Sequence, residues 1–253
     1  MPENHDQVIL IRAHRLDPGL VAAMLRYAGV AGHDLFVLYD NDRRDFEPFG
    51  LDPLLMTAAD LKMSDLLYTP GSPHFGIWKN GDYALYHAAS HLKRTYKYYW
   101  MIEYDVFLNF DDLNEFFDVF RACDDDFIAP YCGPKPPEWL WSGNMSWITD
   151  TVYGCFFPVV RLSAPALHHC RLARLYYGYK FRELGLRGAS WPHCEAFVPT
   201  QLVQAGFAVS DINNHGRIFC DIEWFHARTE AAYSLADPIF RQPDQKLYHP
   251  VYA

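Results

Sequence analysis

The sequence predicts an α/β fold, a mostly parallel central sheet flanked by helices, formed by a single domain. Three observations carry this. Two short apolar runs, residues 7–12 (QVILIR) and 35–39 (LFVLY), enclose a stretch with helical periodicity. That is the pattern of a βαβ unit with a buried parallel strand pair. A third apolar run, 98–102 (YYWMI), is short enough for a central strand and stops abruptly at Glu103-Tyr104-Asp105. The 253 residues are 50% hydrophobic and 21% charged, a globular balance with enough chain for a large core.

The helix joining the first two strands is expected over 17–29, with Leu20, Met24, Leu25 and Ala28 on one face, Asp17 and Pro18 at its start and Gly29 at its end. The polar run Asp40-Asn41-Asp42-Arg43 closes the second strand as a turn. Residues 46–80 read as irregular. A helix follows over 81–95, where Leu85, Ala88, Ala89 and Leu92 keep helical spacing. Beyond the acidic step, Asp111 or Asp112 is suited to cap a helix that buries Leu113, Phe116, Phe117 and Phe120. Residues 127–131 form a further strand candidate. In the second half, a loop rich in Pro and Trp (133–147) leads into one strand over 152–160. Ser163, Ala164 and Pro165 then open a long helix that ends at Gly185. Another helix starts near Ser190 and includes Glu195, and the tail from about Ile222 has weak periodicity and is expected to wrap the surface.

Charge and composition exclude several function classes. The net charge of −9 with no strongly basic stretch argues against binding a nucleic-acid backbone. The longest N-terminal apolar run is too short for a signal peptide or a membrane span, so the chain is expected to be cytoplasmic. The cysteines at 123, 132, 155, 170, 194 and 220 form no CxxC pair, and free thiols are expected.

The chemistry-bearing residues begin where the third strand ends. A parallel strand running straight into Glu103 and Asp105 places both carboxylates at the sheet edge where open α/β sheets bind ligands. Two hard-oxygen donors one residue apart suit Mg²⁺ or Mn²⁺ that already carries phosphate oxygens. The segment Trp139 to Trp147 sets three indoles around small polar residues. Sugar faces pack on such rings, although buried indoles also anchor loops.

The arrangement of apolar strand, acid-x-acid and helix resembles the DxD motif of GT-A glycosyltransferases, and further landmarks of that family follow in order. Arg12 after the first strand and Asp40 after the second stand where the family contacts the nucleotide. Lys79-Asn80-Gly81 precedes the helix before the acidic motif, where relatives approach the base, ribose or diphosphate. Tyr153-Gly154-Cys155 matches the glycine-containing strand that lines the donor sugar. Glu195 stands where the family carries the acid of its xED motif, and Tyr248-His249-Pro250-Val251 resembles its late metal-binding histidine. The sequence departs from the pattern in opening the acidic motif with Glu103 rather than Asp.

The resemblance implies a GT-A-like, Rossmann-type sandwich over 1–253. Its nucleotide-binding half spans about 1–131 and its acceptor half about 132–253. It implies Mn²⁺ or Mg²⁺ held by Asp105 and His249, with Glu103 touching either metal or ribose, and a nucleoside-diphosphate sugar as donor. Glu195 becomes the candidate base toward the acceptor in an inverting reaction, or a group that orients the acceptor in a retaining one. A glycan or glycolipid acceptor follows, with transient contact with a membrane surface and a place in polysaccharide biosynthesis. Two other classes compete: a nucleotidyltransferase that makes nucleotide sugars, and a non-catalytic module that binds nucleotide or glycan.

Overall fold

The computed structural model describes residues 6–16, 18–40, 53–69 and 72–252. Strand β1 (Gln7–Ala13) is buried along nearly its whole length, as its run of Val, Ile and Leu requires. Helix α1 (Pro18–Leu25) starts on a proline, whose fixed φ suits a first helical turn, and continues as a short 3₁₀ turn to Gly29. Asp17 lies outside the described residues, as do Asn41, Asp42 and Arg43 of the expected turn. Strand β2 (His33–Asp40) pairs parallel with β1, completing the expected βαβ unit.

The stretch read as irregular contains β3 (Leu54–Met56) and α2 (Ala58–Met63). Both are too short for periodicity to reveal, but α2 has a complete capping box between Thr57 and Asp60. Next come α3 (Asp82–His91), β4 (Tyr98–Glu103), β5 (Phe107–Asn109), α4 (Asn114–Val119) and β6 (Phe127–Ala129). The Pro/Trp segment holds β7 (Gly133–Lys135) and one turn of helix, α5 (Ser142–Met145).

The single strand expected over 152–160 is two. Strand β8 (Val152–Gly154) pairs with β7, whereas β9 (Val159–Ser163) joins the main sheet. Between them the Cys155 amide turns to Glu195 O (3.0 Å) and the Phe156 amide to Pro130 O (2.8 Å), and Pro158 has no amide hydrogen to contribute. Helix α6 (Ala164–Glu183) is capped by the Ser163 side chain, and α7 (Cys194–Gln204) by His193. Strands β10 (Val209–Asp211), β11 (Tyr233–Ser234), β12 (Lys246–Tyr248) and β13 (Val251–Tyr252) follow.

The central sheet has the order β10-β6-β9-β4-β1-β2-β3. Strands β4, β1, β2 and β3 are mutually parallel, and β9 is inserted antiparallel between β4 and β6. Strands from both sides of residue 131 therefore share one sheet. Side chains of β1 and β4 alternate between its faces, as strand geometry demands. Val8, Leu10, Tyr99 and Met101 join the core beneath α3, α6 and α7, while Ile9, Ile11, Trp100 and Ile102 pack with Phe116, Phe117 and Phe120 near α4.

One buried ion pair ties the first core together. Arg174 of α6 makes a two-pronged contact with Asp82 at the start of α3 (2.7 and 3.1 Å) and donates to Pro192 O (2.9 Å). The tail does more than wrap the surface. Strand β12 pairs antiparallel with β5, and Leu247, Tyr248, His249 and Val251 are all buried. No described helix is long and apolar enough to cross a membrane, and all six cysteines are free.

Candidate active site

Strand β1 lies between β4 on one side and β2 on the other, so the chain reverses its direction of travel across the sheet there. At such a switch point the loops leaving neighbouring strands part and open a crevice at the carboxyl edge. A cavity of about 980 Å³ occupies this position. Its lining comes from two groups of elements: Arg12, His14, Asp40, Glu103, Asp105 and His249 from strand ends and the tail, and Trp78, Trp139, Trp141, His193 and Glu195 from the loops and α7.

The strand register builds the first group. Parallel pairing sets Arg12 beside Glu103, and their side chains close an ion pair at 2.7 Å. Arg12 also donates to Ile77 O (3.1 Å), tying the end of β1 to the segment that carries Trp78. Asp105 is fixed by its backbone, since the Val251 amide donates to its carbonyl (2.8 Å) and the preceding Tyr104 amide donates to Arg12 O (2.9 Å). His249 exchanges backbone bonds with Trp224 and His226 and sits edge-on to Phe156.

Glu103, Asp105 and His249 offer ligand atoms that all lie within 4.8 Å of one another. His249 Nδ1 is 2.6 Å from His226 O. A carbonyl only accepts, so Nδ1 carries a hydrogen and the remaining nitrogen, Nε2, faces Asp105 Oδ1 at 3.4 Å. That oxygen is buried and has no hydrogen-bond partner. Burial pushes the His249 pKa down, but the Asp105 and Glu103 carboxylates outweigh it and hold the value above normal. Either a proton on Nε2 or a divalent cation would answer the two carboxylates. Carboxylate oxygens with one imidazole, oriented by a carbonyl behind it, fit Mn²⁺ or Mg²⁺.

Glu195 lines the same cavity from the first turn of α7. Its Oε2 accepts from Trp141 Nε1 (2.7 Å), and its Oε1 lies 3.4 Å from the Phe157 amide. Burial raises its pKa to about 7, although these two hydrogen bonds pull the other way. A carboxyl that ionises near neutrality is suited to take a proton.

Other residues singled out by sequence stand near the cavity rather than on it. Lys79, Asn80, Gly81 and Gly154 are not among the lining residues. Asn80 is fully buried and spends its amide on Gly76 O (2.8 Å) and Trp191 Nε1 (2.9 Å), which fixes the turn before α3. Gly81 leaves room for Arg12, whose guanidinium would lie 3.0 Å from an added Cβ. At Gly154 a Cβ would meet the Trp139 ring at 2.5 Å, so this glycine seats an indole that does line the cavity. Lys79 is buried, its carbonyl accepts the Cys194 amide (3.0 Å), and burial with nearby Arg174 lowers its amine pKa.

Of the Trp-rich loop, Trp139 and Trp141 reach the cavity, whereas Trp147 packs on Tyr177 and Phe181. Sequence reasoning missed His14, Trp78 and His193. His14 follows the first strand directly, Trp78 precedes Lys79 and His193 precedes Glu195 by two residues, so adjacency to the named motifs was the available signal.

Comparison with protein-family models gives no match, and neither does comparison with curated proteins. Among solved structures the chain is similar to a glycosyltransferase involved in glycosylation of the major capsid of PBCV-1, with TM-score 0.45, 10% identity, and coverage of 97% of this chain and 91% of that one. It is also similar to the galactosyltransferase LgtC in complex with donor and acceptor sugar analogues (TM-score 0.44, 11% identity, 94% and 83% covered). A third is mouse xyloside xylosyltransferase 1 in its apo form (TM-score 0.44, 10% identity, 96% and 96% covered).

Proposed function

We propose that this chain is a metal-dependent glycosyltransferase that moves a sugar from a nucleoside-diphosphate donor to a hydroxyl of a glycan or glycolipid acceptor. One observation carries the reading: a cation-ready group, Glu103, Asp105 and His249, shares a cavity with a buried carboxyl, Glu195, that ionises near neutral pH. The cavity volume suits a ligand of nucleotide-sugar size.

A divalent ion held by Asp105 and His249 would neutralise the negative charge that grows on the leaving diphosphate. Arg12, paired with Glu103 at the end of β1, adds fixed positive charge on the same side. Asp40 at the end of β2 and His14 after β1 border the part of the cavity where a base and ribose would sit. Glu195 takes the acceptor hydroxyl proton, and Trp141 holds its carboxylate in place while it does so. Trp139, seated over Gly154, closes the wall beside it.

The test is a panel of UDP- and GDP-sugars with and without Mn²⁺, monitored by thermal shift and by release of nucleoside diphosphate. Metal-dependent stabilisation by one nucleotide, followed by slow release of its diphosphate and faster release with a glycan acceptor, is the expected result. Pyrophosphate release from a nucleoside triphosphate and a sugar phosphate would favour the nucleotidyltransferase reading. Binding without turnover across a broad acceptor set would favour the non-catalytic module.

A further inference from the structure

We propose that Cys123, Asp125 and His215 form a Zn²⁺ site at the end of the central sheet, where the ion pins the loop before β6 to the turn after β10. None of the three residues lines the cavity, so the site stands independently of the glycosyltransferase reading.

The donors come from two segments that the sheet brings together. Cys123 and Asp125 lie between α4 and β6, and His215 follows β10 after a 3₁₀ turn over Ile212–Asn214. Strand β10 is the last of the sheet and pairs parallel with β6. The first segment is shaped by the buried Arg161 of β9, whose guanidinium donates to the carbonyls of Phe120, Cys123 and Asp125 (2.8, 2.8 and 3.0 Å). One planar group thus fixes the backbone of both donors on that loop. On the second segment, His215 Nε2 meets Ser210 Oγ at 2.8 Å, and the ring leans on Phe120 (5.2 Å between centroids). These contacts turn the imidazole back along β10 toward Asp125.

A sulfur, an imidazole nitrogen and a carboxylate oxygen of the three residues all lie within 4.8 Å of one another. His215 Nε2 is 3.6 Å from Asp125 Oδ2, and two such donors on one tetrahedral zinc stand about 3.4 Å apart. Small side-chain rotations would close the set. Three consecutive aspartates run through this loop, with different uses. Asp124 pairs with Lys97, and Asp126 accepts from the Ser163 hydroxyl and the Ala208 amide. The Asp125 carboxylate takes no hydrogen bond among the described residues and faces His215. Cys123, Asp125 and His215 are each partly exposed, so an ion can enter from solvent and water can supply a fourth ligand.

The donor types choose the ion. Thiolate with imidazole and carboxylate suits Zn²⁺, whereas Mg²⁺ and Mn²⁺ prefer oxygen. Thiolate and carboxylate together balance the dication, and the Arg161 charge stays with its three carbonyls. Strand β10 has only three residues, so a cross-link to the neighbouring loop would add hold where the sheet has few bonds.

The experiment uses the full chain stripped of metal, with Co²⁺ and Zn²⁺ as probes. Co²⁺ bound to a thiolate gives a near-ultraviolet charge-transfer band that an oxygen-and-imidazole site cannot give. The wild type should show this band, and Zn²⁺ should abolish it. Cys123→Ser should lack the band. Asp125→Asn and His215→Gln should each weaken Co²⁺ binding at least about tenfold, the scale of losing even a group that supports a ligand. His215→Gln keeps a polar atom for Ser210, so in chelator it should melt close to the wild type. Hydrogen exchange over 209–215 should slow when Zn²⁺ is added to the wild type, and not in Cys123→Ser. Asp105→Asn should keep the band, which separates this site from the cavity group. No band in the wild type, a band that survives Cys123→Ser or is lost in Asp105→Asn, or unchanged Co²⁺ affinity in both Asp125→Asn and His215→Gln overturns the site. So does exchange over 209–215 that Zn²⁺ leaves unaltered.

Discussion

Replacing Glu195 with Gln removes an ionisable group and keeps its size, and the structure sets the sign of two effects. In the unfolded chain this carboxyl ionises near 4.5, and in the fold near 7. Between those pH values the native state holds a proton that the unfolded state has lost, so Glu195 costs stability increasingly as pH rises, and the cost persists above 7. The difference corresponds to roughly 3 kcal/mol, reduced to about 1–3 kcal/mol because Gln also weakens the charge-assisted bond from Trp141. Glu195→Gln should therefore melt with the wild type near pH 4.5, but about 2–12 °C above it at pH 8 in chelator, using roughly 2–4 °C per kcal/mol at this size.

Turnover should move the opposite way. Loss of a general base costs about 10²–10⁴ in rate. The wild-type rate should rise with pH as Glu195 ionises, with its midpoint drawn below 7 by bound metal, and the variant should lack that limb. If Glu195 served only to favour the N-terminus of α7, Gln would lose about 0.3–1 kcal/mol and keep near-normal turnover. A variant that melts lower at pH 8 and transfers sugar at the wild-type rate would refute the assignment.

The metal site gives two further tests. Asp105→Asn should weaken Mn²⁺-dependent UDP or GDP binding at least about tenfold by calorimetry, and without metal it should lower the melting temperature only at pH values where His249 is protonated. His249 has a raised pKa, so the stability it gains from Asp105 is full below its ordinary 6.5 and lost as pH rises through the raised value. Mn²⁺ competes with that proton, so thermal stabilisation by Mn²⁺ should grow with pH through the same range, and a flat response would remove His249 from the ligand set. Asp82→Asn strands the Arg174 guanidinium in the core and should cost about 3–5 kcal/mol in denaturant unfolding, whereas a loss below 1 kcal/mol would show that the pair is dispensable.

Legibility in the sequence followed element length and contact order. β1, β2, β4 and α6 are long or strongly patterned, and each was readable from local periodicity, as was the emergence of Glu103 and Asp105 at a strand end. Strands β3, β7 and β12 have three residues each, too few for any period to register. Their backbone partners are remote in sequence: Tyr248 pairs with Phe107. The tail was misread as surface wrap for this reason, because nothing local marks His249 as buried. Asn80 shows the reverse failure. It stands in a motif-like tripeptide, and only the fold reveals that its amide is committed to Gly76 and Trp191.

Hydrogen bonds and ring contacts link the two groups of lining residues, and in the proposed reaction this bears on how a donor and an acceptor could be handled in order. Arg12 holds Glu103 with one nitrogen and Ile77 O with another, so the acidic motif and the Trp78 segment share one guanidinium. Trp141 holds Glu195 and stacks on His193, and Trp78 touches both rings. A divalent ion held by Asp105 and His249 would change the charge felt by Glu103, and through Arg12 the hold on the segment that carries Trp78. In the proposed reaction this would favour donor before acceptor. A metal and diphosphate would engage the end of β4, and the same guanidinium holds the segment that carries Trp78. An Arg12→Lys variant keeps one charge but cannot make both contacts. It should loosen acceptor binding more than nucleotide binding, and a loss confined to nucleotide binding would show that Arg12 serves the donor alone.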